Sequence, residues 1–443
     1  MSGRLLGRKL SSFQIIITGF LALILIGTLL LTLPVSAADG SWTPMKDALF
    51  TAASAVCVTG LVVRDTAIYW SSFGQAVILI LIQVGGLGIV SVTALIATVS
   101  GKKISLLQRS MLQESISAHQ LGGIVKLTGF ICKAALVTEL FGALLMMPTF
   151  CSAYGSSGIW MSVFHSVSAF CNAGFDIMGS RTGEFASLTA LRSSFAIVIP
   201  ICLLIVTGGI GFLTWDDIAK HRFHFKKYRM QSKVILTATA LLVLVPAVIF
   251  FFNDFSGHEL KERFCVSLFQ AVTPRTAGFN TADMNSLTSV GRAMTVVLML
   301  IGGSPGSTAG GVKTTTIAVL AANAAAVVRR RKNTRLFSRR ISEDTVRSAS
   351  TLLILYLFLV LTGAFIISVA DGFSFESCLF ETASAIGTVG LSLGITPSLG
   401  LLSRAVLIGL MFFGRVGGLT LLYAAVSNRA EAAQYPMGKI NVG

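Results

Sequence analysis

Four short segments of the chain share a pattern of aromatic, hydroxyl and glycine residues. In each, a Phe is followed four residues later by Ser or Thr, and nine or ten residues after the Phe comes a Gly that precedes Leu or Phe. The glycines are Gly60, Gly174, Gly278 and Gly390. Glycine permits backbone angles that turn a carbonyl oxygen away from a regular helix. Carbonyl oxygens that converge from four loops can replace the water around a monovalent cation, which is the chemistry of a selectivity filter.

We predict that the three residues ending at each glycine form this filter and bind a weakly hydrated monovalent cation. They are Val58, Thr59 and Gly60; Asn172, Ala173 and Gly174; Thr276, Ala277 and Gly278; and Thr388, Val389 and Gly390. Acidic residues are absent from these positions, which argues against a carboxylate ring for divalent cations. Asp65, Asp176 and Asp283 follow their glycines within a few residues and either concentrate cations at a pore mouth or are ordinary solvated charges. The alternative for the glycines is close helix packing.

Long apolar runs surround these segments. The chain has 443 residues, of which 53% are hydrophobic and only 12% charged, and residues 10–38, 66–101, 193–215, 234–253 and 348–370 contain no charged side chain. Each run can cross a hydrocarbon core of about 30 Å as a helix of roughly 20 residues. This composition excludes a soluble enzyme and a secreted domain. The first run also resembles a signal peptide, but it is longer than the usual core of one.

The segments recur at intervals of 104 to 114 residues, which indicates an internal repeat. We therefore expect an all-α polytopic membrane protein with four parallel repeats, each containing a spanning helix, a short re-entrant helix with its glycine loop, and a second spanning helix. Eight spanning helices would then surround a central pore. The predicted repeats are residues 1–100, 101–219, 220–330 and 331–443. The second spans are expected at 71–98, 191–215, 289–328 and 401–427.

The charges between the apolar runs predict an orientation. The N-terminus, residues 101–126, 216–233 and 329–347, and the tail from 428 hold 23 Lys and Arg against 6 Asp and Glu, while the intervening stretches hold 9 against 12. The positive-inside rule places the basic set and both termini in the cytoplasm, with the protein in the plasma membrane. The net charge of +16 thus indicates topology and not a nucleic-acid partner. The basic segment 329–347 is a topology signal, a site for anionic membrane lipid, or a docking site for an acidic partner.

A second candidate site follows the third glycine loop. It consists of Gly302, Gly303, Ser304, Pro305, Gly306, Ser307, Thr308, Ala309, Gly310 and Gly311, with Lys313 shortly after. This composition cannot continue a regular helix, so we predict that the second span of the third repeat is broken by a non-helical intramembrane loop within residues 302–316, whose small polar groups would lie in the ion path. The spacing does not match a phosphate-binding loop, and no strand precedes it. A packing kink without a role in conduction is the alternative.

Arg415 lies within an apolar span, where an unpaired charge is costly. Its positive charge would repel cations in a pore, and its binding to loop carbonyls would hold a gate shut. The alternative is that its side chain extends to the membrane interface. Lys133 and Glu139 are similarly embedded, either as an ion pair or as two interfacial ends.

The motifs Val-Cys-Val-Thr-Gly-Leu (56–61), Cys-Asn-Ala-Gly-Phe (171–175), Thr-Pro-Arg-Thr-Ala-Gly-Phe-Asn (273–280) and Ile-Gly-Thr-Val-Gly-Leu-Ser (386–392) resemble the four filters of the Trk/Ktr/HKT superfamily of potassium transporters. Because no extra helix pair precedes the first repeat, the chain is most similar to the Ktr-type membrane subunit. The resemblance implies potassium uptake, often sodium-dependent, by a homodimer with a cytoplasmic nucleotide-binding ring of the RCK type. It also supports the gating roles of segment 302–311 and Arg415.

No organic cofactor and no enzymatic activity are expected, because no nucleophile, metal cluster or membrane-buried carboxylate pair is evident. Only Thr388-Val389-Gly390 retains Thr-Val-Gly, so a less selective potassium/sodium transporter is one alternative. A solute carrier of another class is the second. Such a carrier would usually have inverted repeats and ionisable groups at its binding site.

Overall fold

The computed structural model describes residues 4–5, 8–9, 11–100, 104–116, 123–418 and 420–421. The predicted cytoplasmic tail from residue 428 and parts of the basic stretch 101–126 lie outside these ranges. Within them, the expected all-α fold is confirmed apart from two small antiparallel hairpins. One pairs β1 (Arg4–Leu5) with β2 (Arg8–Lys9), and the other pairs β3 (Arg335–Leu336) with β4 (Arg339–Arg340).

The first predicted repeat contains α1 (Ser12–Thr32), α2 (Met45–Val56), α3 (Thr66–Tyr69), α4 (Ser72–Leu87) and α5 (Ile89–Val99), and α6 (Leu106–Ile116) follows. Ser11 begins α1 because its hydroxyl accepts a hydrogen bond from Gln14 N, while the Gln14 side chain accepts one from Ser11 N. The helix ends at Leu33, whose extended backbone is the conformation favoured before Pro34.

The second predicted repeat has the same order of elements. It contains α7 (Ile124–Tyr154), α8 (Ser157–Phe170), α9 (Gly179–Thr182), α10 (Phe195–Gly209) and α11 (Phe212–His221). The third contains α12 (Met230–Asn253), α13 (Leu260–Val272), α14 (Ser289–Leu300) and α15 (Thr314–Val328). The fourth contains α16 (Glu343–Asp371), α17 (Phe375–Gly387) and α18 (Leu401–Val416). Short 3-10 helices occur at Pro34–Ser36, Thr189–Leu191, Phe225–Lys227, Met284–Ser286 and Thr396–Ser398.

The expected second spans are not continuous helices. Helices α4 and α5 meet at 94°, and α10 and α11 at 100°. The bends lie at Gly88 (φ 85°, ψ 132°) and Gly211 (φ 86°, ψ 141°), and α18 ends at Gly417 with nearly the same angles (φ 92°, ψ 131°). Residues with a Cβ avoid this backbone region, so glycine determines each break. The sequence had predicted a break in the third repeat only.

In the third repeat, residues 301–313 separate α14 from α15, and we call them the intramembrane loop. The predicted gating loop of 302–316 was too long at its C-terminal end, because Thr314 already begins α15. A parallel bridge between Ile301 and Val312 brings the two ends of the intramembrane loop together.

By length and composition, four helices of the described residues can cross a membrane: α1, α7, α12 and α16. Counting each bent pair as one span gives up to six. The long helices expose large apolar residues on their outer faces, such as Leu29, Leu144, Val248 and Phe358, as a surface facing lipid requires. The short helices α2, α8, α13 and α17 lie inside, and their motif residues Phe50, Phe164, Phe269 and Phe380 are buried.

Equivalent polar contacts connect each predicted repeat to the next. They join Gln75 to Trp160 at 2.9 Å, Arg192 to Glu262 at 3.0 Å, Arg292 to Glu376 at 2.9 Å, and Arg404 to Asp47 at 2.6 Å. In each pair, the second residue lies in the first turns of a short helix. The last contact joins the fourth predicted repeat back to the first, so the four contacts form a closed circuit.

Candidate ion pathway

The four predicted glycine loops meet in a closed ring. A Cβ atom added to Gly60 would clash with the Ala173 carbonyl, and one added to Gly174 would clash with Gly278. The same holds between Gly278 and Val389, and between Gly390 and Thr59. The loops therefore touch in chain order, and only glycine permits this approach. We call residues 58–60, 172–174, 276–278 and 388–390 the glycine ring.

Each loop of the glycine ring contains two residues with positive φ. The glycines have φ between 69° and 93°, and the residues two positions earlier, Val58, Asn172, Thr276 and Thr388, have φ between 51° and 70°. Left-handed backbone is rare for residues with a Cβ and costs about 1–3 kcal/mol each. This second position was not predicted, because Val and Thr, which occupy it in three of the four loops, rarely adopt left-handed backbone. Each loop keeps this unfavourable conformation only because the surrounding structure holds it in place.

The hydroxyl residue of each motif supplies part of that support. Ser54 Oγ accepts a hydrogen bond from Gly60 N at 3.1 Å, and Ser384 Oγ accepts one from Gly390 N at 3.0 Å. Ser168 and Thr273 instead donate to the carbonyls of Phe175 and Phe279, both at 2.7 Å. The Ser or Thr of the motif therefore ties the short helix to the loop that follows it.

A cavity of about 310 Å³ lies against one side of the ring and is lined by all four ring glycines. Asp65, Asp176 and Asp283 also line it. Each of these carboxylates accepts hydrogen bonds from nearby backbone N–H groups, and Asp65 is buried. They are thus fixed parts of the cavity wall, and Asp65 is not the ordinary solvated charge that one reading of the sequence proposed.

The intramembrane loop packs against the ring from the other side. Thr308 Oγ1 donates to the carbonyl of Phe170 at 3.1 Å and to Oδ1 of Asn172 at 3.0 Å. A Cβ on Gly310 would clash with the Thr388 side chain. Further hydrogen bonds fix the loop to the α10–α11 bend, from Ser304 N to the Gly209 carbonyl and from Phe212 N to the Gly306 carbonyl.

Arg415 connects this loop to the first predicted repeat. Its guanidinium donates to the carbonyls of Thr308 and Gly85, and to that of Gly86 at 2.8 Å. Among the described residues no carboxylate pairs with Arg415. Lys313 Nζ donates to the loop carbonyls of Ala309 at 2.8 Å and Gly310 at 3.3 Å. Both cations are therefore held by backbone carbonyls, and both add positive charge beside the loop.

A second cavity of about 360 Å³ lies beyond the intramembrane loop. Gly306, Ser307, Ala309, Lys313 and Arg415 line it, and it shares no lining residue with the first cavity. The glycine ring lines the first cavity and the intramembrane loop lines the second, so both lie between the two cavities. An ion that moved between the cavities would pass both.

The three glycine breaks share a pattern that the sequence analysis overlooked. Gly85-x-x-Gly88, Gly208-x-x-Gly211 and Gly414-x-x-Gly417 occur at equivalent places. A Cβ on the first glycine of each would clash with a carbonyl at the end of a short helix, namely that of Val56, Phe170 or Ile386. Arg415 occupies the position equivalent to Gly86 and Gly209. Comparing the repeats one turn before each break would have found these sites.

Glu139 and Lys133 do not form the ion pair considered from the sequence. Lys133 is exposed and has no ion pair within the described part of the chain, whereas Glu139 is buried. The Glu139 carboxylate accepts hydrogen bonds from the Gln83 amide at 2.9 and 3.2 Å. Gln83 also lies 3.5 Å from the Sγ of Cys171, the residue before Asn172.

Comparison with known proteins gives matches over almost the whole chain. Residues 8–433 match the TrkH family model, described as cation transport protein. The chain is 40% identical to the potassium/sodium uptake protein NtpJ of Enterococcus hirae, over 98% of both chains. It is 37% identical to Ktr system potassium uptake protein B of Bacillus subtilis, over 97% of this chain and 96% of that protein.

The fold is similar to the crystal structure of the potassium transporter TrkH from Vibrio parahaemolyticus. The TM-score is 0.73 at 21% identity, over 94% of this chain and 84% of that chain. The structural similarity thus supports the all-α membrane-transporter fold, and the sequence similarity supports the family relationship. The predicted resemblance is confirmed: this multi-pass membrane protein belongs to the TrkH family of cation transport proteins, within the Trk/Ktr superfamily, and is not an enzyme.

Proposed function

We propose that this chain is a potassium uptake transporter whose ions pass from the first cavity through the glycine ring, and then past the intramembrane loop to the second cavity. The observation that carries the proposal is the ring itself, in which four loops from equivalent places close on one axis between two cavities. Relatives named as potassium uptake proteins support potassium as the ion. Potassium is the cargo in this proposal, and no organic cofactor is required.

In the proposed filter, the residues that bind the ion are those of the glycine ring. Backbone carbonyls can replace the hydration water of a weakly hydrated cation without a full negative charge. The preceding short helices direct their C-terminal ends toward the ring, and the negative ends of these helix dipoles favour a cation. Paired left-handed residues in every loop support the idea that the backbone is shaped for this task.

In the proposed gate, Gly302 to Gly311, Lys313 and Arg415 block the path in the state described here. Thr308 lies against the ring, while the charges of Arg415 and Lys313 repel an approaching cation. Opening would require the intramembrane loop to release its contacts with Asn172 and Arg415. Because these are a few hydrogen bonds, ligands or partner subunits can shift the balance by a few kcal/mol.

The larger architecture in this proposal is four parallel repeats with eight spanning helices, both termini in the cytoplasm of a plasma-membrane protein. The number of spanning helices reaches eight if α4 with α5, α10 with α11, and α14 with α15 each form one span and α18 forms the last. A homodimer and a cytoplasmic nucleotide-binding partner ring are part of the proposal. Two relatives named Ktr system potassium uptake protein B support a system with more than one component. Sodium either activates this transport or accompanies it.

The second candidate is a transporter of both potassium and sodium. A relative with 40% identity is named a potassium/sodium uptake protein, and three of the four loops lack Thr-Val-Gly. Rubidium and sodium fluxes into liposomes, with and without the purified chain, distinguish the two. Rubidium flux far above sodium flux supports the first candidate, comparable fluxes support the second, and no flux of either contradicts both.

The filter assignment has its own test. Gly60→Ser should lower the discrimination between rubidium and sodium, because no Cβ fits between Gly60 and Ala173. Gly129→Ser on α7 is the matched control, since a Cβ there meets no atom within 4 Å. Unchanged selectivity in a folded Gly60→Ser protein would remove Gly60 from the filter.

A further inference from the structure

A third cavity of about 310 Å³ lies at the end of α15 far from the intramembrane loop. It is enclosed by this helix end, the β3–β4 hairpin and the first turns of α16. Arg331, Lys332, Arg340 and Arg347 line it, with Glu343 as the acidic residue among its lining. Four positive charges against one negative charge make it a strongly basic cavity.

These four cations are not neutralised by any acidic residue that the structure describes. All four side chains are exposed, and none forms an ion pair with any residue that the structure describes. Glu343 is also free of an ion pair among those residues. Basic groups gathered at a cavity without internal partners favour an anionic ligand, above all one with phosphate oxygens.

The backbone fixes the cations around the cavity. Phe337 and Ser338 form the two-residue turn of the hairpin with φ of 44° and 62°, and Arg340 pairs with Arg335 across it. Thr334 Oγ1 donates to Oδ1 of Asn323 on α15 at 2.9 Å, which attaches the base of the hairpin to that helix. Arg331 and Arg340 are therefore positioned by ordered backbone on opposite ends of one hairpin segment.

Exposed apolar residues lie on the two helices that line the cavity, α15 and α16. Val327 and Val328 at the end of α15 are 66% and 82% exposed, and Ile354 on α16 is 68% exposed. A basic cavity next to apolar helix faces matches a molecule that carries an anionic headgroup and hydrocarbon chains together. A soluble anion would use only the charges, and an acidic protein would leave the apolar faces uncovered.

We propose that this cavity binds the phosphate headgroup of an anionic phospholipid, in the leaflet on the side of the basic loops. The acyl chains then cover Val327, Val328 and the apolar face of α16. The cations reach the phosphate oxygens through charge-assisted hydrogen bonds, so a zwitterionic lipid binds more weakly.

The position of the cavity links lipid binding to the intramembrane loop. Helix α15 begins at Thr314, directly after that loop, and its 15 residues span about 22 Å to the cavity. A small core of Val319, Ile341 and Ala349, separate from the main core, joins this helix to the hairpin and α16. Bound lipid therefore holds the far end of the helix that follows the loop. This effect on flux rests on the proposed function, whereas the binding itself does not.

The test compares two triple variants with the same change in charge. Arg331→Gln/Arg340→Gln/Arg347→Gln removes cations of the cavity, while Arg330→Gln/Arg335→Gln/Arg339→Gln removes neighbouring cations that do not line it. Each full-length protein is purified in a neutral detergent, and its thermal unfolding is measured with phosphatidylglycerol, phosphatidylcholine or inorganic phosphate. We expect phosphatidylglycerol to raise the unfolding temperature of the wild type and the control by several degrees, and that of the cavity variant by less than half as much.

Each other outcome counts against the proposal. If phosphatidylglycerol raises the unfolding temperature less in both variants by the same amount, the effect comes from general surface charge. If inorganic phosphate raises the unfolding temperature as much as phosphatidylglycerol does, the cavity binds a free anion. Lipid binding at this cavity is overturned if phosphatidylglycerol raises the unfolding temperature of the cavity variant as much as that of the wild type. It is also overturned if the lipid does not raise the unfolding temperature of the wild type. Rubidium flux in liposomes with and without phosphatidylglycerol is the second readout. If lipid stabilises the protein but no variant transports rubidium, the proposed function fails and the lipid site stands.

Discussion

Thr308 Oγ1 donates a hydrogen bond to Oδ1 of Asn172 at 3.0 Å, and so joins the intramembrane loop directly to the glycine ring. Asn172 is one of the two residues with positive φ in its ring loop, and its side-chain amide also contacts Thr276 at 3.3 Å in the next loop. A movement of the intramembrane loop therefore changes the surroundings of two ring loops. The proposed gate and the proposed filter are therefore structurally adjacent.

Thr308→Val keeps the shape of the side chain and removes both of its hydrogen bonds. The lost bonds weaken the closed position of the loop by about 1–3 kcal/mol, which raises rubidium flux by about fivefold or more if the loop is the gate. Thr308→Ser keeps the hydroxyl and is the control. Equal flux in the valine variant, the serine variant and the wild type would mean that this contact does not restrain the gate.

Arg415→Ala should raise flux without changing the preference for rubidium over sodium. The substitution removes a positive charge from the second cavity and frees the carbonyls of Thr308, Gly85 and Gly86. Lys133→Ala is the control, because Lys133 is exposed and forms no ion pair with any residue that the structure describes. Initial flux rates and reversal potentials in liposomes measure the two properties separately. A folded Arg415→Ala protein with wild-type flux would favour a packing role.

Ser54→Ala should have a larger effect on the selectivity for rubidium over sodium than on the stability of the fold. The Gly60 N–H loses its acceptor and becomes an unpaired buried donor at the ring, at a cost of about 1–3 kcal/mol. Its loop is then less firmly held, so sodium competes better with rubidium. Ser152→Ala on the exposed part of α7 is the comparison, and competition assays over a range of sodium concentrations give the readout. Sodium competition identical in the two variants would refute this role of Ser54.

Asp47→Asn should destabilise the protein without opening the pathway. Asp47 is buried and pairs with Arg64 at 3.0 Å and with Arg404 at 2.6 Å, which closes the first segment against the fourth. Removing one partner of a buried pair costs about 3–5 kcal/mol. Glu376→Gln at an equivalent place breaks an exposed pair with Arg292 and should cost at most about 1 kcal/mol. Thermal unfolding in detergent compares the stability of the two variants. Equal losses of stability would contradict the role of Asp47 in closing the first segment against the fourth.

Local sequence patterns were enough to predict much of this protein. The charge-free runs predicted α1, α12 and α16, because a helix that faces lipid must be apolar over most of its length. The repeated Phe, Ser or Thr, and Gly predicted the short helices and the loops at Gly60, Gly174, Gly278 and Gly390. These features depend on residues close together in the chain, and the fourfold recurrence made them visible.

Other features exist only through contacts between distant residues. The left-handed conformations of Val58, Asn172, Thr276 and Thr388 are unfavourable locally and persist because neighbouring loops hold them. The carbonyl partners of Arg415 lie more than a hundred residues away in the chain, and its charge alone did not identify them. The bends at Gly88 and Gly211 required glycine, but glycines in membrane helices commonly serve packing as well. Sequence thus determined which residues form the ring and the loop, whereas tertiary packing decided how the ring closes and what the loop touches.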